Sequence, residues 1–245
     1  IGAFTPFFHA FRERESINDI MEETCGARLT MNYMVPGGVM HDLHPNFQQR
    51  VKDFLQLYKR KVSEYDELVT GNVIFQSRMK NVGVLSAADA VSYGCTGPVA
   101  RGSGVSCDIR KIHPYEIYDK LEFDEVLETG GDSFARYMVR IKEMNQSIKI
   151  IEQLIDNIPE GEFQAKTKAV LKLPKGEFYT RVETARGELG VYIVSEGGTT
   201  PYRIKFRSPG FSNLSILDTI ARGGKIGDLI AMMGTLDLVI PDIDR

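Results

Sequence analysis

The sequence predicts an α+β protein, mainly helical with one small antiparallel sheet. Two long segments repeat apolar residues every three or four positions, and after Pro174 that period gives way to alternation in stretches rich in Tyr, Val, Ile and Phe.

The first helix is expected over residues 6–24, closed by Gly26 where a left-handed C-cap belongs. Pro36-Gly37-Gly38 marks a loop. From Pro45 onward Phe47, Val51, Phe54, Leu55, Tyr58, Val62 and Tyr65 fall on one helical face, with charged residues between them. Ser86-Ala87-Ala88-Asp89 has the spacing of a capping box and predicts a short helix ending near Gly94, followed by a Gly-rich loop to Cys107. A second long helix is expected over 132–155, where Phe134, Tyr137, Met138, Ile141, Met144, Ile148, Ile151 and Ile155 share a face and Pro159 lies beyond the end.

Strands are expected at 178–183, 189–195 and 202–207, separated by Arg186-Gly187 and by Gly197-Gly198, and a last helix at 226–233. The helical part thus covers about residues 1–160, and the sheet with the last helix about 174–245. The chain opens on Ile1-Gly2-Ala3-Phe4, an apolar start without Met, which predicts a piece of a longer protein.

Composition narrows the function. With 42% hydrophobic and 26% charged residues this is ordinary globular material, and Lys+Arg 30 against Asp+Glu 33 gives a charge of -3. That balance leaves no basic excess for nucleic acid. No apolar run approaches the roughly 20 residues that cross a bilayer. The three cysteines, Cys25, Cys95 and Cys107, form no CxxC pair, which argues against a disulfide framework and against a zinc or iron–sulfur site. His41 and His44 sit on a loop without a third soft ligand and read as solvated histidines. Gly94, Gly97, Gly102 and Gly104 lack the Lys-Ser/Thr ending of a P-loop and read as sites of close backbone packing. No G-x-S-x-G elbow is present. Arg186, Arg203 and Arg207 stand at the ends of the expected strands. They form either an ion network with Glu183 and Glu188 or a cationic wall facing a redox centre.

Specific segments add a resemblance. Gly2-Ala3-Phe4-Thr5-Pro6-Phe7-Phe8, Phe11-Arg12-Glu13-Arg14-Glu15, Arg101-Gly102-Ser103-Gly104-Val105, Arg140-Ile141-Lys142-Glu143-Met144, Glu183-Thr184-Ala185-Arg186-Gly187-Glu188-Leu189-Gly190, Pro201-Tyr202-Arg203 and Arg207-Ser208-Pro209 follow one another in order. Together they resemble the C-terminal part of the 49 kDa, or D, subunit of respiratory complex I, a family related to the large subunit of nickel–iron hydrogenases.

The resemblance implies a hydrogenase-large-subunit-like fold and a peripheral position on the cytoplasmic side of the inner membrane. It implies a role in a NADH:quinone oxidoreductase, as a subunit helping to form the quinone-reduction site. Partners would be other complex I subunits, among them a small subunit that ligates the terminal [4Fe-4S] cluster and a membrane subunit at the quinone cavity. No metal or cofactor is expected on this chain itself. Arg186 matches the family's cluster-proximal arginine, and Asp237 falls in the tail beside the quinone cavity. Thr30 stands where many members carry a histidine near the cluster. The family's quinone-headgroup tyrosine and histidine belong to a region outside these residues, so no catalytic residue is assigned here and the isolated chain is expected to be inactive.

Two other functions follow from the same kinship: the large subunit of an energy-converting hydrogenase, or a non-catalytic scaffold. Hydrogenases carry an Asp-Pro-Cys-x-x-Cys motif in this tail. Here Val239 and Asp242 stand where the thiolates would be, and nickel and iron need soft ligands.

Overall fold

A computed structural model describes residues 4–168 and 170–244. In chain order the elements are α1 (Phe4–Cys25), β1 (Met34–Val35), β2 (Gly38–Val39), α2 (Phe47–Tyr65, continued by a π-turn over Asp66–Thr70), α3 (Val73–Met79), α4 (Ala87–Ser92), α5 (Gly97–Arg101) and α6 (Ile109–Ile112). A 3-10 turn at Tyr118–Lys120 precedes α7 (Ser133–Ile155). Then come β3 (Gly176–Thr184), β4 (Gly187–Ser195), β5 (Arg203–Arg207), α8 (Pro209–Leu214), α9 (Leu217–Ala221), α10 (Ile226–Leu236) and α11 (Ile240–Ile243). The α+β class is as the periodicities predict, and α1, α2, α7 and the strands β3, β4 and β5 lie within a few residues of their expected bounds, whereas β1 and β2 pair where only a loop is expected. The Gly94 to Cys107 segment differs: it contains α5, with Pro98 at its first turn, because Gly97 at φ 66 lets the backbone turn into it.

The described chain forms two compact units that interleave in sequence. One comprises residues 2–70 and 147–171. In it α1 and α2 pack together, burying Ile20 of α1 and Leu55, Val62 and Tyr65 of α2. Glu13 is buried too, and its carboxylate accepts from the Tyr65 hydroxyl and from Arg12 at 2.8 Å. Pro36-Gly37 form the turn between β1 and β2 with Gly37 at φ 97, a conformation open to glycine.

The other unit comprises residues 71–146 and 172–245. Its core is Leu85, Ala90, Cys95, Val99, Ala100, Ile216, Ile220, Met232 and Leu236. Asp132 caps α7 by accepting from Ala135 N at 2.7 Å, and its second oxygen accepts from Asn81 N at 2.7 Å. The sheet is antiparallel in the order β3-β4-β5. Its register puts Phe178, Ile193 and Ile204 across from one another, and likewise Thr180, Val191 and Phe206, so one face is apolar. The opposite face carries Tyr179, Arg181, Glu183, Glu188, Tyr192, Lys205 and Arg207.

Candidate functional site

The turn between β3 and β4 is where local sequence and packing converge. Thr184 and Gly187 pair, leaving Ala185 and Arg186 in a two-residue turn. The Thr184 hydroxyl donates to Gly187 O at 2.8 Å and accepts from Arg186 N at 3.3 Å. Asn213, fully buried, donates to Arg186 O at 3.3 Å and accepts from Thr96 N at 3.3 Å. A Cβ on Gly97 would stand 2.4 Å from Arg186 O. The hairpin and the start of α5 therefore touch backbone to backbone, and the Arg186 main chain is held from three sides.

From that anchor the half-buried Arg186 side chain reaches the end of α10. Its Nε donates to Asp237 O at 3.2 Å and its Nη2 lies 3.4 Å from Asp237 Oδ1. Asp237 caps α10 in the left-handed region, φ 54 and ψ 54, where a short polar side chain is tolerated better than a bulky one. The tail beyond is tied down by Asp242, which accepts from the Ser208 hydroxyl and from Gly210 N at 3.3 Å.

Behind this pair lies a set of buried charges. Arg101, 2% exposed, is held 2.8 Å from Glu183 and 2.7 Å from Glu143. Burial works against the Arg101 charge, but Glu143 and Glu183 outweigh it and keep the guanidinium above its ordinary range. Burial pushes the Glu183 carboxyl up, with Arg101 opposing. On α7, Arg136 is fully buried and is satisfied by neutral acceptors: Thr235 Oγ1 at 3.1 Å, Gly131 O at 2.9 Å, Gly83 O at 3.0 Å and Ser133 Oγ at 3.0 Å. Burial, then the neighbouring Arg140 charge, brings Arg136 down to about 10. Arg140, one turn on, donates its Nη1 to Arg136 O at 2.9 Å.

The structure thus brings Arg186 and Asp237 into contact. Thr30 belongs to the other compact unit, exposed, at φ 51, with its hydroxyl donating to Leu29 O at 2.8 Å. A left-handed backbone is unusual for a β-branched residue.

Glu183 and Glu188, the carboxylates within sequence reach of Arg186 and Arg207, bond elsewhere. Glu183 takes Arg101, and Glu188 takes Tyr179 at 2.8 Å and Arg181 at 3.4 Å. Alternation explains this, since Glu183, Glu188 and Arg181 share a sheet face while Arg186 sits in the turn. Arg207 clamps Gly94 O at 2.6 Å, Glu188 O at 2.6 Å and Thr96 Oγ1 at 3.0 Å.

Arg136, Arg140 and Glu143 are members of this site that sequence reasoning does not assign. Their i, i+4 and i, i+3 spacing is visible in the chain, but the burial of Arg136 depends on acceptors 53 and 99 residues away.

Cys95 and Cys107 do not fit cluster ligation. Cys95 lies in the apolar core and Cys107 Sγ contacts Gly97 O at 3.9 Å, and burial pushes both up to about 11, leaving them as thiols at neutral pH. Among the described residues no group of three or more His, Cys, Asp or Glu is placed to hold a metal, and no helix is long and apolar enough to cross a membrane.

The second unit is thus a helix-and-hairpin scaffold whose C-terminal tail is locked to a β-turn by arginine, with buried guanidinium groups behind the lock. A family described as "Respiratory-chain NADH dehydrogenase, 49 Kd subunit" matches residues 1–172 and 166–245, and the chain belongs to that family. It is 56% identical, over all 245 residues, to the C/D subunit of the NADH-quinone oxidoreductase of Bacteroides thetaiotaomicron, covering 46% of that protein. It is 47% identical over its full length to the second D-type subunit of the NADH-quinone oxidoreductase of Solibacter usitatus, covering 66% of it, and 46% identical over 244 residues to the corresponding D-type subunit of Desulforamulus reducens, covering 67%. The chain spans about half the length of the C/D relatives.

Proposed function

We propose that this chain forms part of the quinone-reduction site of a respiratory NADH:quinone oxidoreductase. It would lie beside the terminal [4Fe-4S] cluster, which a neighbouring small subunit ligates, and against a membrane subunit on the cytoplasmic side of the inner membrane. The relatives' names supply the reaction, and the contact between Arg186 and Asp237 carries the assignment of the site to these residues. The family resemblance picks out the two positions separately, and they meet across 51 residues of sequence.

Arg186 offers a permanent positive charge with rigid donors, suited to an oxygen that gains negative charge on reduction. The Asp237 main-chain carbonyl, bonded by Nε, fixes the direction of that guanidinium. The guanidinium groups of Arg136 and Arg140 on α7, which bond neutral acceptors, raise the local potential in a medium that screens it less than water does. These roles are electrostatic and positional. The chain alone is expected to be inactive, because the headgroup-binding residues of the family lie outside it.

A hydrogenase reading has no support from the tail. Asp242 is engaged by Ser208 and Gly210, and Val239 has no donor atom for a soft metal.

The test is Arg186→Met in the assembled complex. Electron transfer from donor to ferricyanide, which bypasses the quinone site, is expected to persist while quinone reduction falls at least tenfold, roughly the loss of one charge-assisted bond. Equal rates with quinone before and after the substitution would refute the assignment.

A further inference from the structure

Asp237 acts electrostatically on a second cation, Arg140. Helix α7 presents Arg136 and Arg140 one turn apart, and α10 ends with Thr235 and Asp237 two residues apart. Arg136 bonds Thr235 Oγ1 at 3.1 Å, which registers the two helix segments, and Arg140 is the next residue along the same face. Attraction from the Asp237 and Glu143 carboxylates partly offsets the cost of burying the Arg140 guanidinium. Arg140 uses Nη1 on Arg136 O, while its Nη2 is buried with no hydrogen-bond partner among the described residues. A buried charged donor left open costs more than an ordinary unmade bond. The existing Arg186 Nη2 to Asp237 Oδ1 contact is long for a charge-assisted bond, at 3.4 Å.

We propose that Asp237 is a two-position carboxylate: it rests against Arg186 in the free site and moves to the open Nη2 of Arg140 when a ligand oxygen takes Arg186. Arg140 is then a positioning residue that frees Arg186 for ligand, and Asp237 stays paired throughout. No proton or electron moves in this exchange. It rests on the quinone reading for the ligand's chemistry, a carbonyl or phenolate oxygen. The exchange is one of side-chain rotation at the end of α10, with the Asp237 backbone held by Arg186 Nε on its carbonyl.

The experiment is equilibrium binding of decylubiquinone to the assembled complex without electron donor, together with KM and kcat in turnover. In Arg140→Met, Arg186 stays tied to Asp237, so Kd and KM are expected to rise about tenfold with kcat changed less than about twofold. Arg140→Lys is expected to restore Kd to within about threefold, since a cation is again available. Asp237→Asn removes the competitor for Arg186, so adding Arg140→Met to it is expected to change Kd less than about twofold.

Independent, multiplying effects of the two substitutions would overturn the exchange, as would an unchanged Kd in Arg140→Met. If Arg140→Met fails to assemble, Arg140→Lys and Arg140→Gln replace it, with Lys retaining binding and Gln losing it. Failure of all three to assemble would also overturn the proposal, by showing that this guanidinium serves folding. If Arg186→Met itself leaves decylubiquinone binding unchanged, the quinone reading fails. If Arg186→Met weakens binding while Arg140 and Asp237 act independently, the exchange alone fails.

Discussion

Arg186 in the β3–β4 turn donates to the backbone carbonyl of Asp237 at 3.2 Å and lies 3.4 Å from its carboxylate, fastening the end of α10 to the hairpin. Removing the Arg186 charge is expected to lower the midpoint potential of the terminal cluster in the assembled complex, because the reduced form loses electrostatic support. A loss of about 1 kcal/mol corresponds to roughly 40 mV for one electron. A redox titration of Arg186→Met followed by electron paramagnetic resonance measures it, and an unchanged potential in a fully assembled complex would count against the role.

Thr30 leads to a different measurement. Its hydroxyl does not titrate near neutral pH, whereas a histidine at this position takes up a proton when a neighbouring centre is reduced. Such coupling would give a slope of about 59 mV per pH unit for one electron. With Thr30 the terminal cluster is expected to be low in potential and nearly flat from about pH 6 to 8. Thr30→His is expected to introduce a slope, and a full slope already present in the parent complex would contradict the expectation.

Gly97→Ala tests the anchoring of Arg186. The added Cβ would stand 2.4 Å from Arg186 O and 2.6 Å from Gly187 Cα, at a φ of 66 that L-residues rarely adopt. The clash is with backbone, so the hairpin and α5 must separate. A destabilisation of at least about 2 kcal/mol is expected from the combined strain and lost packing, read by denaturant unfolding. Quinone affinity in the assembled complex should fall with it.

Arg101→Met would strand Glu143 and Glu183 without their shared cation. Removing one partner of a buried ion pair costs about 3–5 kcal/mol. The sign of the pH effect follows from Glu183, whose carboxyl burial already pushes up. Without Arg101 it rises further, so the folded state binds protons that the unfolded state has released, and stability falls as pH rises from about 4.3 through the new folded value. Urea unfolding at acidic and neutral pH is expected to show the variant recovering part of its loss in acid.

In the other unit, Tyr65→Phe removes a donor from buried Glu13 and is expected to cost about 1–3 kcal/mol. Burial raises the Glu13 carboxyl, but the bonds from Tyr65 and Arg12 outweigh it and bring it below the usual range. That stabilisation is present above the unfolded value of about 4.3 and is lost as pH falls through the folded one. The Phe variant should therefore start less stable and lose less on acidification. An equal acid-dependent loss in both proteins would remove Glu13 from the account.

The long helices, the three-stranded sheet, the fold class and the kinship are legible in the chain before it folds. The three- and four-residue spacing from Phe47 to Tyr65 and from Phe134 to Ile155, the alternation after Pro174 and the turn residues at Pro36-Gly37 are local patterns, and the elements follow from local geometry. The ordered motifs point to Arg186 and Asp237 one at a time. That these two touch, that Glu183 serves Arg101 instead of a hairpin arginine, and that Arg136 is buried with Arg140 half-buried one turn on emerge only from the packed molecule. Burial and ion pairing depend on groups far apart in the chain, such as the carbonyl of Gly83 for Arg136 and the carboxylate of Glu183 for Arg101 across 82 residues, and no period in a sequence encodes such distances.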